Sequence, residues 1–180
     1  MEKVSFGSNA IKYGLIAAVL LIIQTLVYYL LDINVFQWSF MLLSFALMGI
    51  IIISSIIVGI KNLRKANDDI ISFGKAFGQG MLIGTITLIL AGVFSLVFNL
   101  LIVPEYLPSQ IDNFVAFMEG MNIPDDAIDM AIDEFKKGIT TEGQIMSFFK
   151  NTAFFIVITL IASLIIAAAL KKEDTQSDIF

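Results

Sequence analysis

The side chains best suited to chemistry in this sequence are the carboxylates between residues 125 and 134. Asp126, Asp129 and Asp133 are spaced so that they would share one face of a helix. Carboxylate oxygens are ligands that Ca²⁺ prefers, but calcium sites usually wrap a loop around the ion, whereas successive helical turns spread the carboxylates apart. A solvated acidic face is therefore the favoured interpretation, and neither a metal site nor a cofactor is predicted.

Histidine and cysteine are both absent from the chain. Their absence excludes imidazole bases, thiolate nucleophiles, disulfides and every metal site built on these two ligands. A serine nucleophile would have no histidine to activate it, and the glycine-rich stretch from Gly74 to Gly80 lacks the spacing of a phosphate-binding loop. The sequence predicts no catalytic residue and no enzyme. Interfacial chemistry around Glu105 and Tyr106 stays open as the least favoured alternative.

The composition is typical of a membrane protein. Hydrophobic residues make up 58% of the chain, and the mean hydropathy is +0.89. Charged residues make up only 15%, against roughly 25% in soluble domains. The net charge of -5 provides no basic surface for nucleic acid, which is not expected as a partner. Membrane lipid is the partner that this composition predicts.

Four long stretches of the sequence contain no charged residue. Each is long enough to cross the bilayer core, which needs about 20 residues of helix. Because a helix satisfies its backbone hydrogen bonds internally, these stretches predict transmembrane helices at about 13–31, 38–60, 76–103 and 148–170. The predicted fold is all-α, one membrane domain over residues 1–180 with an external amphipathic helical segment at 105–147.

The basic residues predict the orientation of the chain, because Lys and Arg accumulate in cytoplasmic loops. Most of them flank the predicted helices on one side, at Lys3, Lys12, Lys61, Arg64, Lys65, Lys75, Lys171 and Lys172. The opposite side has a turn at Asp32 without basic residues and the external segment, in which acidic residues outnumber basic ones. Both termini are therefore predicted to be cytoplasmic.

The external segment is predicted to contain two short helices. In the first, Ser109 and Asp112 have the spacing of a capping box, and Gly120 marks the end. Its apolar face would consist of Ile111, Phe114, Val115 and Met118. The second is bounded by Pro124 in its first turn and by Gly138.

The last transmembrane helix is predicted to project beyond the membrane. Thr141 and Gln144 repeat the capping-box pattern, so this helix would begin around Glu142. It would then be the longest helix of the protein.

The second short helix presents a candidate interaction surface. This surface combines an apolar stripe with an acidic face, formed by Ile128, Ile132 and Phe135 and by Asp125, Asp126, Asp129 and Asp133. Since isolated helices of this length are marginal in water, the apolar stripe must be covered. Docking on the bundle or on the other short helix is favoured. A groove that binds a partner is the alternative.

Small residues recur along one face of the third predicted span. They are Ala76, Gly80, Gly84, Thr87, Ala91 and Ser95. Because lipid is as apolar as leucine, transmembrane helices associate through the close approach of small residues. The third helix is therefore predicted to be the central one, and its neighbour could belong to the same chain or to another copy.

Several segments together resemble a known family. They are Ile71-Ser72-Phe73-Gly74-Lys75-Ala76-Phe77, Pro104-Glu105-Tyr106-Leu107, an acidic amphipathic segment, and Leu170-Lys171-Lys172. In these features, and over nearly its whole length, the chain resembles the bacterial domain-of-unknown-function family numbered 4199. The resemblance implies a small four-span protein of the bacterial inner membrane. It implies no activity and no catalytic residue.

The predicted function is that of a non-enzymatic membrane protein that acts through protein interaction or membrane assembly, with a protein partner or as a homo-oligomer. The alternative is a small transporter or channel subunit for a small or apolar solute. Within the predicted spans the one charged side chain is Lys150, near the start of the last, and the lack of charge deeper in the spans counts against proton-coupled transport.

Overall fold

The computed structural model describes residues 5–172, so Lys3 and both ends of the predicted domain lie outside the described residues. Four helices are long and apolar enough to span a membrane. They are α1 (Phe6–Leu30), α2 (Trp38–Lys65), α3 (Phe73–Val97, continued by a π-helical turn at Phe98–Ile102) and α7 (Thr141–Leu170). The predicted all-α bundle of four transmembrane helices is confirmed.

Three shorter helices connect α3 to α7. They are α4 (Tyr106–Ser109), α5 (Ile111–Gly120) and α6 (Asp125–Gly138). We call residues 103–140 the connector, and the end of the bundle beside it the connector end. The opposite end, which carries residues 61–75 and 171–172, is the basic end.

The spanning helices extend beyond the uncharged stretches of the sequence. α1 begins at Phe6, where the Ser5 hydroxyl accepts a hydrogen bond from Ser8 N (3.1 Å). α7 is capped by Thr140 rather than Thr141, since Thr140 Oγ1 accepts from Gly143 N (3.1 Å). Lys and Arg are good helix formers, so a basic residue marks the edge of an apolar run without ending the helix. α7 has 30 residues, as many as α3 and its π-helical turn together.

α3 is the central helix and packs against α1, α2 and α7. Ala76, Gly80, Gly84 and Thr87 are buried on it. A Cβ added to Gly80 would lie 2.8 Å from Ser163 Oγ of α7, so the two helices approach closely there. Gly80 and Gly84 therefore pack against α7 of the same chain, whereas Thr87 donates to Gly14 O of α1 (3.2 Å). Ala91 and Ser95, further along α3, are only half-buried.

Buried amides join α1, α2 and α3 near the basic end. Asn9 Nδ2 donates to Gly59 O (2.8 Å), and Asn62 Nδ2 donates to Asn9 Oδ1 (2.7 Å). Gln79 is fully buried, and the hydrogen-bonding orientation of its amide donates to Phe6 O (3.1 Å) and accepts from Asn9 Nδ2 (2.8 Å). Because these amides satisfy one another, they serve packing rather than ligand binding.

The basic end is closed by contacts between the α2–α3 loop and the end of α7. Ile71 and Lys172 exchange backbone hydrogen bonds, both 2.9 Å long. The Asp69 carboxylate pairs with Arg64 (2.9 Å) and with Lys172. The hydrogen bond from Lys172, followed by the charge of Arg64, holds the pKa of Asp69 below its ordinary value. These contacts fix the α2–α3 loop to the last turn of α7.

The connector folds back on the bundle through aromatic contacts. Phe36, in the α1–α2 turn, contacts the rings of Phe114, Phe117 and Phe135. Phe114 of α5 also stacks on Phe135 of α6, with ring centroids 5.0 Å apart. The apolar sides of α5 and α6 therefore cover each other and the α1–α2 turn.

Two details of the predicted starts of the connector helices are also wrong. Ser109 does not cap α5, because its hydroxyl donates to Tyr106 O (2.7 Å) within α4 and α5 follows Gln110 directly. Pro124 precedes α6 as its N-terminal cap and lies outside the first turn.

Candidate binding cavity

The acidic residues of the candidate interaction surface are all exposed. Asp125, Asp126, Asp129 and Asp133 point away from the bundle along α6. The apolar residues of the same predicted surface are turned inward: Ile128 is only 5% exposed, and Ile132 and Phe135 are half-buried. The predicted surface is therefore divided, and only its acidic half is accessible.

The acidic face shows no arrangement for holding a cation. Among the described residues, no three Asp or Glu side chains come close enough together to hold a metal ion. Glu134 instead pairs with Lys137 (2.7 Å) one turn along the helix. Their hydrogen bond lowers the pKa of Glu134 and raises that of Lys137.

A cavity of about 520 Å³ lies in the connector half of the bundle. Its walls come mainly from α3, between Leu88 and Asn99, and from α7, between Gln144 and Phe155. On one side it is bordered by Leu107, Phe135, Gly138 and Ile139 of the connector, and on another by Leu21 and Met48. Its volume is in the range of small-molecule sites.

Polar side chains are concentrated in the walls of this cavity. They are Ser95, Asn99, Gln144, Ser147, Asn151 and Thr152. No charged side chain lines it. Gln144 Nε2 donates to Ile139 O (2.9 Å), and Ser147 and Thr152 add hydroxyls to the same wall. The cavity thus combines an apolar surface with a few polar groups.

Asn99 lies where α3 changes into the π-helical turn. Val103 N donates to Phe98 O (2.8 Å), five residues back, which is the π-helical pattern. The Asn99 side chain donates to Ser95 O (2.8 Å), one turn back, while its Oδ1 is buried and accepts no hydrogen bond. An unpaired buried carbonyl costs roughly 1–3 kcal/mol. The cavity wall therefore holds an acceptor that lacks a donor.

An aromatic cluster holds the π-helical turn in place. Phe98 is almost fully buried between Tyr29, at the end of α1, and Tyr106 of α4. The two tyrosine rings also meet edge to face, with centroids 5.4 Å apart. Burial, together with the charge of Asp32, raises the pKa of Tyr106 above its usual value. By holding Phe98, this cluster also sets the position of Asn99, which is the next residue in the chain.

The cavity is closed towards the basic end by contact between α3 and α7. Side-chain atoms of Thr159 lie where a Cβ of Gly84 would be, and Ser163 lies in the same way against Gly80. Inside the cavity wall, Phe148 approaches Gly92, where a Cβ would meet its ring at 2.6 Å. These contacts leave the cavity confined to the connector half.

A second cavity, of about 480 Å³, lies between α1 and α2. It is lined by more apolar side chains, although Gln24, Tyr28 and Ser44 contribute polar groups. Tyr28 and Ser44 are linked through their hydroxyls (3.0 Å), and Gln24 Nε2 donates to Tyr28 Oη (3.0 Å). Gln24 Oε1 is also buried without a partner here, but fewer polar side chains line this cavity and Gln24, Tyr28 and Ser44 are bonded to one another, so it is the weaker candidate site.

Only some of the residues that line the cavity had been indicated by the sequence. Ala91 and Ser95 were predicted as helix-packing residues, but they face open space between the helices. Gln144, Ser147 and Asn151 were not singled out as a site. Their spacing, which places them on one face of α7, was the available signal.

Comparison with known proteins identifies the family but no activity. Searches of curated proteins and of solved structures found no match. The model of the family described as protein of unknown function, DUF4199, matches residues 12–172. Since this match covers most of the chain, the protein belongs to the DUF4199 family, as the segments around Ile71, Pro104 and Leu170 suggested.

Proposed function

We propose that this protein is a non-enzymatic, multi-pass membrane protein that acts through protein interaction at the connector end. The observation that carries the proposal is the division of α6 into two faces. Its apolar stripe packs within the chain around Phe36 and Phe114, while Asp125, Asp126, Asp129 and Asp133 remain exposed. A rigid acidic face fits a partner with a basic surface, which could be another protein or a second copy of this chain.

We further propose that the protein lies in the bacterial inner membrane with both termini in the cytoplasm. The basic end contains Lys61, Arg64 and Lys65 of α2, together with Lys75 and Lys172. The connector end carries the acidic residues of α6, and the distribution of basic residues then puts the connector outside. The acidic face would meet its partner on that side of the membrane.

The packing of α3 does not favour a channel through one subunit. Gly80 and Gly84 bring α3 against α7 between the cavity and the basic end. A transport path would need these helices to separate or would have to run between subunits. We therefore keep transport of a small or apolar solute as the second candidate, supported by the cavity alone.

The interaction proposal can be tested with one quadruple variant. Asp125, Asp126, Asp129 and Asp133 are replaced by Asn, which removes charge and keeps side-chain shape. The tagged full chain is extracted in mild detergent, and co-purifying proteins are quantified by mass spectrometry. A partner with a basic surface should be lost from this variant, and raised salt should weaken its binding to the parent.

The matched control neutralises exposed acidic residues of the neighbouring helix, with Asp112→Asn and Glu119→Gln in α5. This control should keep the partner. Identical sets of co-purifying proteins from the parent, the α6 variant and the α5 variant would refute the proposal, provided that both variants unfold at the temperature of the parent.

A further inference from the structure

We propose that the cavity between α3 and α7 binds an uncharged single-chain lipid whose head group carries hydroxyls, such as a monoacylglycerol. This inference is independent of the acidic face of α6. It rests on the charge, the polarity and the size of the cavity and on the unpaired acceptor of Asn99.

The absence of charge in the lining selects an uncharged ligand. None of the side chains that line the cavity is Asp, Glu, Lys or Arg. An ionised head group would therefore lie without a partner in a low-dielectric region, at a large cost in free energy. Phosphates and free carboxylates are poor candidates for this site.

The polarity of the cavity changes along the bundle axis. Gln144 and Ser147 lie near the start of α7, beside the connector, whereas Phe155 lies deeper, on the same cavity wall. At 1.5 Å per residue, Gln144 and Phe155 are about 16 Å apart along the helix. On the facing side, Leu21, Met48 and Leu88 extend the apolar surface. A molecule with a polar head and an apolar chain matches this gradient.

A ligand that carries hydroxyl groups complements the polar wall of the cavity. Asn99 Oδ1 is buried without a donor, and Ser147 and Thr152 add hydroxyls to the same wall. A ligand hydroxyl can donate to an amide oxygen and accept from a serine or threonine hydroxyl. A volume of about 520 Å³ suits one acyl chain rather than the two chains of a bilayer phospholipid. The surrounding membrane is the source of such a ligand.

The experiment uses the full chain in phosphatidylcholine nanodiscs with a photoactivatable monoacylglycerol. Cross-linked peptides are mapped by mass spectrometry, and three unlabelled competitors are compared. Monooleoylglycerol should compete at least tenfold better than methyl oleate, which has no hydroxyl, and better than oleate, which is charged. Labelling should fall on residues 88–99 and 144–155.

Three variants locate the site. Ala91→Phe fills the cavity and should abolish specific labelling, whereas Leu90→Phe, at an exposed position of the same helix, should leave it unchanged. Thr152→Val keeps the side-chain volume but removes the hydroxyl, and should weaken competition by monooleoylglycerol about tenfold. Because Thr152→Val is nearly isosteric, it tests the site even if Ala91→Phe does not fold.

Labelling spread over the lipid-facing surface, or equal competition by methyl oleate and monooleoylglycerol, would overturn the proposal. Unchanged competition by monooleoylglycerol in Thr152→Val, or unchanged labelling of a folded Ala91→Phe, would overturn it as well. The quadruple Asp→Asn variant of α6 should bind the lipid as the parent does. Failure of the lipid site is thereby distinguished from failure of the interaction surface.

Discussion

Gly84 of α3 lies directly against Thr159 of α7, so that the Thr159 methyl group occupies the place where a side chain at residue 84 would begin. Both residues are buried. The contact lies between the cavity and the basic end, and it sets how closely the two helices approach. Substitutions at Gly84 and Thr159, with Gly74 as a control, test that role.

Gly84→Ala should lower the free energy of unfolding by about 1–3 kcal/mol, because the added methyl group overlaps Thr159. Gly74→Ala is the control, since a Cβ at Gly74 meets nothing within 4 Å. There the better helix propensity of alanine should stabilise the protein by up to about 1 kcal/mol. Thermal unfolding in detergent measures both effects.

The double variant Gly84→Ala with Thr159→Ser tests the cause directly. Serine lacks the Cγ2 methyl that overlaps the new side chain, so the double variant should recover part of the stability lost by Gly84→Ala alone. A double variant no more stable than Gly84→Ala would place the destabilisation elsewhere.

Asp69→Asn should lower the unfolding temperature at pH 7, and the difference from the parent should shrink below about pH 4. The pKa of Asp69 is held below its ordinary value by Lys172 and Arg64. A carboxylate with a lowered pKa stabilises the fold above its unfolded pKa, and this contribution is lost as the pH falls through the folded pKa. Unfolding temperatures measured between pH 3 and pH 7 test the prediction.

Asp68→Asn is the control for this pH dependence. Asp68 and Asp69 both have left-handed backbone conformations (φ 52° and 60°), which Asn tolerates, and Asp68 is exposed. Asp68→Asn should therefore differ little from the parent at any pH. A difference between Asp69→Asn and the parent that stays constant from pH 7 to pH 3 would contradict the assigned role of the Asp69 carboxylate.

Ile128→Ser should expose the connector to protease, because it removes the most deeply buried side chain of α6. Replacing a large buried aliphatic side chain by a small one costs about 2–5 kcal/mol. Met130→Ser, two residues along the helix and 66% exposed, should leave protease resistance unchanged. Equal rates of connector cleavage in the two variants would show that the apolar stripe does not hold α6 in place.

Single cysteines test the proposed orientation, since the native chain contains none. Ala66→Cys in the α2–α3 loop and Met121→Cys in the connector are both at exposed positions. In intact cells, a membrane-impermeant thiol reagent should label Met121→Cys and spare Ala66→Cys. The reverse pattern would invert the orientation, and permeabilised cells should show labelling at both sites.

The four spanning helices and the two longer connector helices were predictable from the sequence, because the signals that specify each of them lie within its own segment. An apolar run in lipid must satisfy its own backbone hydrogen bonds, so each uncharged stretch becomes a helix whatever its neighbours do. The bounds of α6 follow equally from local signals, with Pro124 before it and Gly138 at its end. The burial of the Ile128 side chain also agrees with the amphipathic pattern of that short helix.

The cavity depended on the tertiary structure. α1, α3 and α7 are apolar around most of their circumference, so hydrophobic periodicity does not show which side of each helix faces a neighbour. The same stripe of small residues packs tightly at Gly84 and borders open space at Ala91. The difference arises because α7 and the connector, which are distant from α3 in the sequence, pack against it differently at these two positions. Local signals in the sequence therefore specify the helices, whereas the packing of those helices specifies which polar side chains share a cavity.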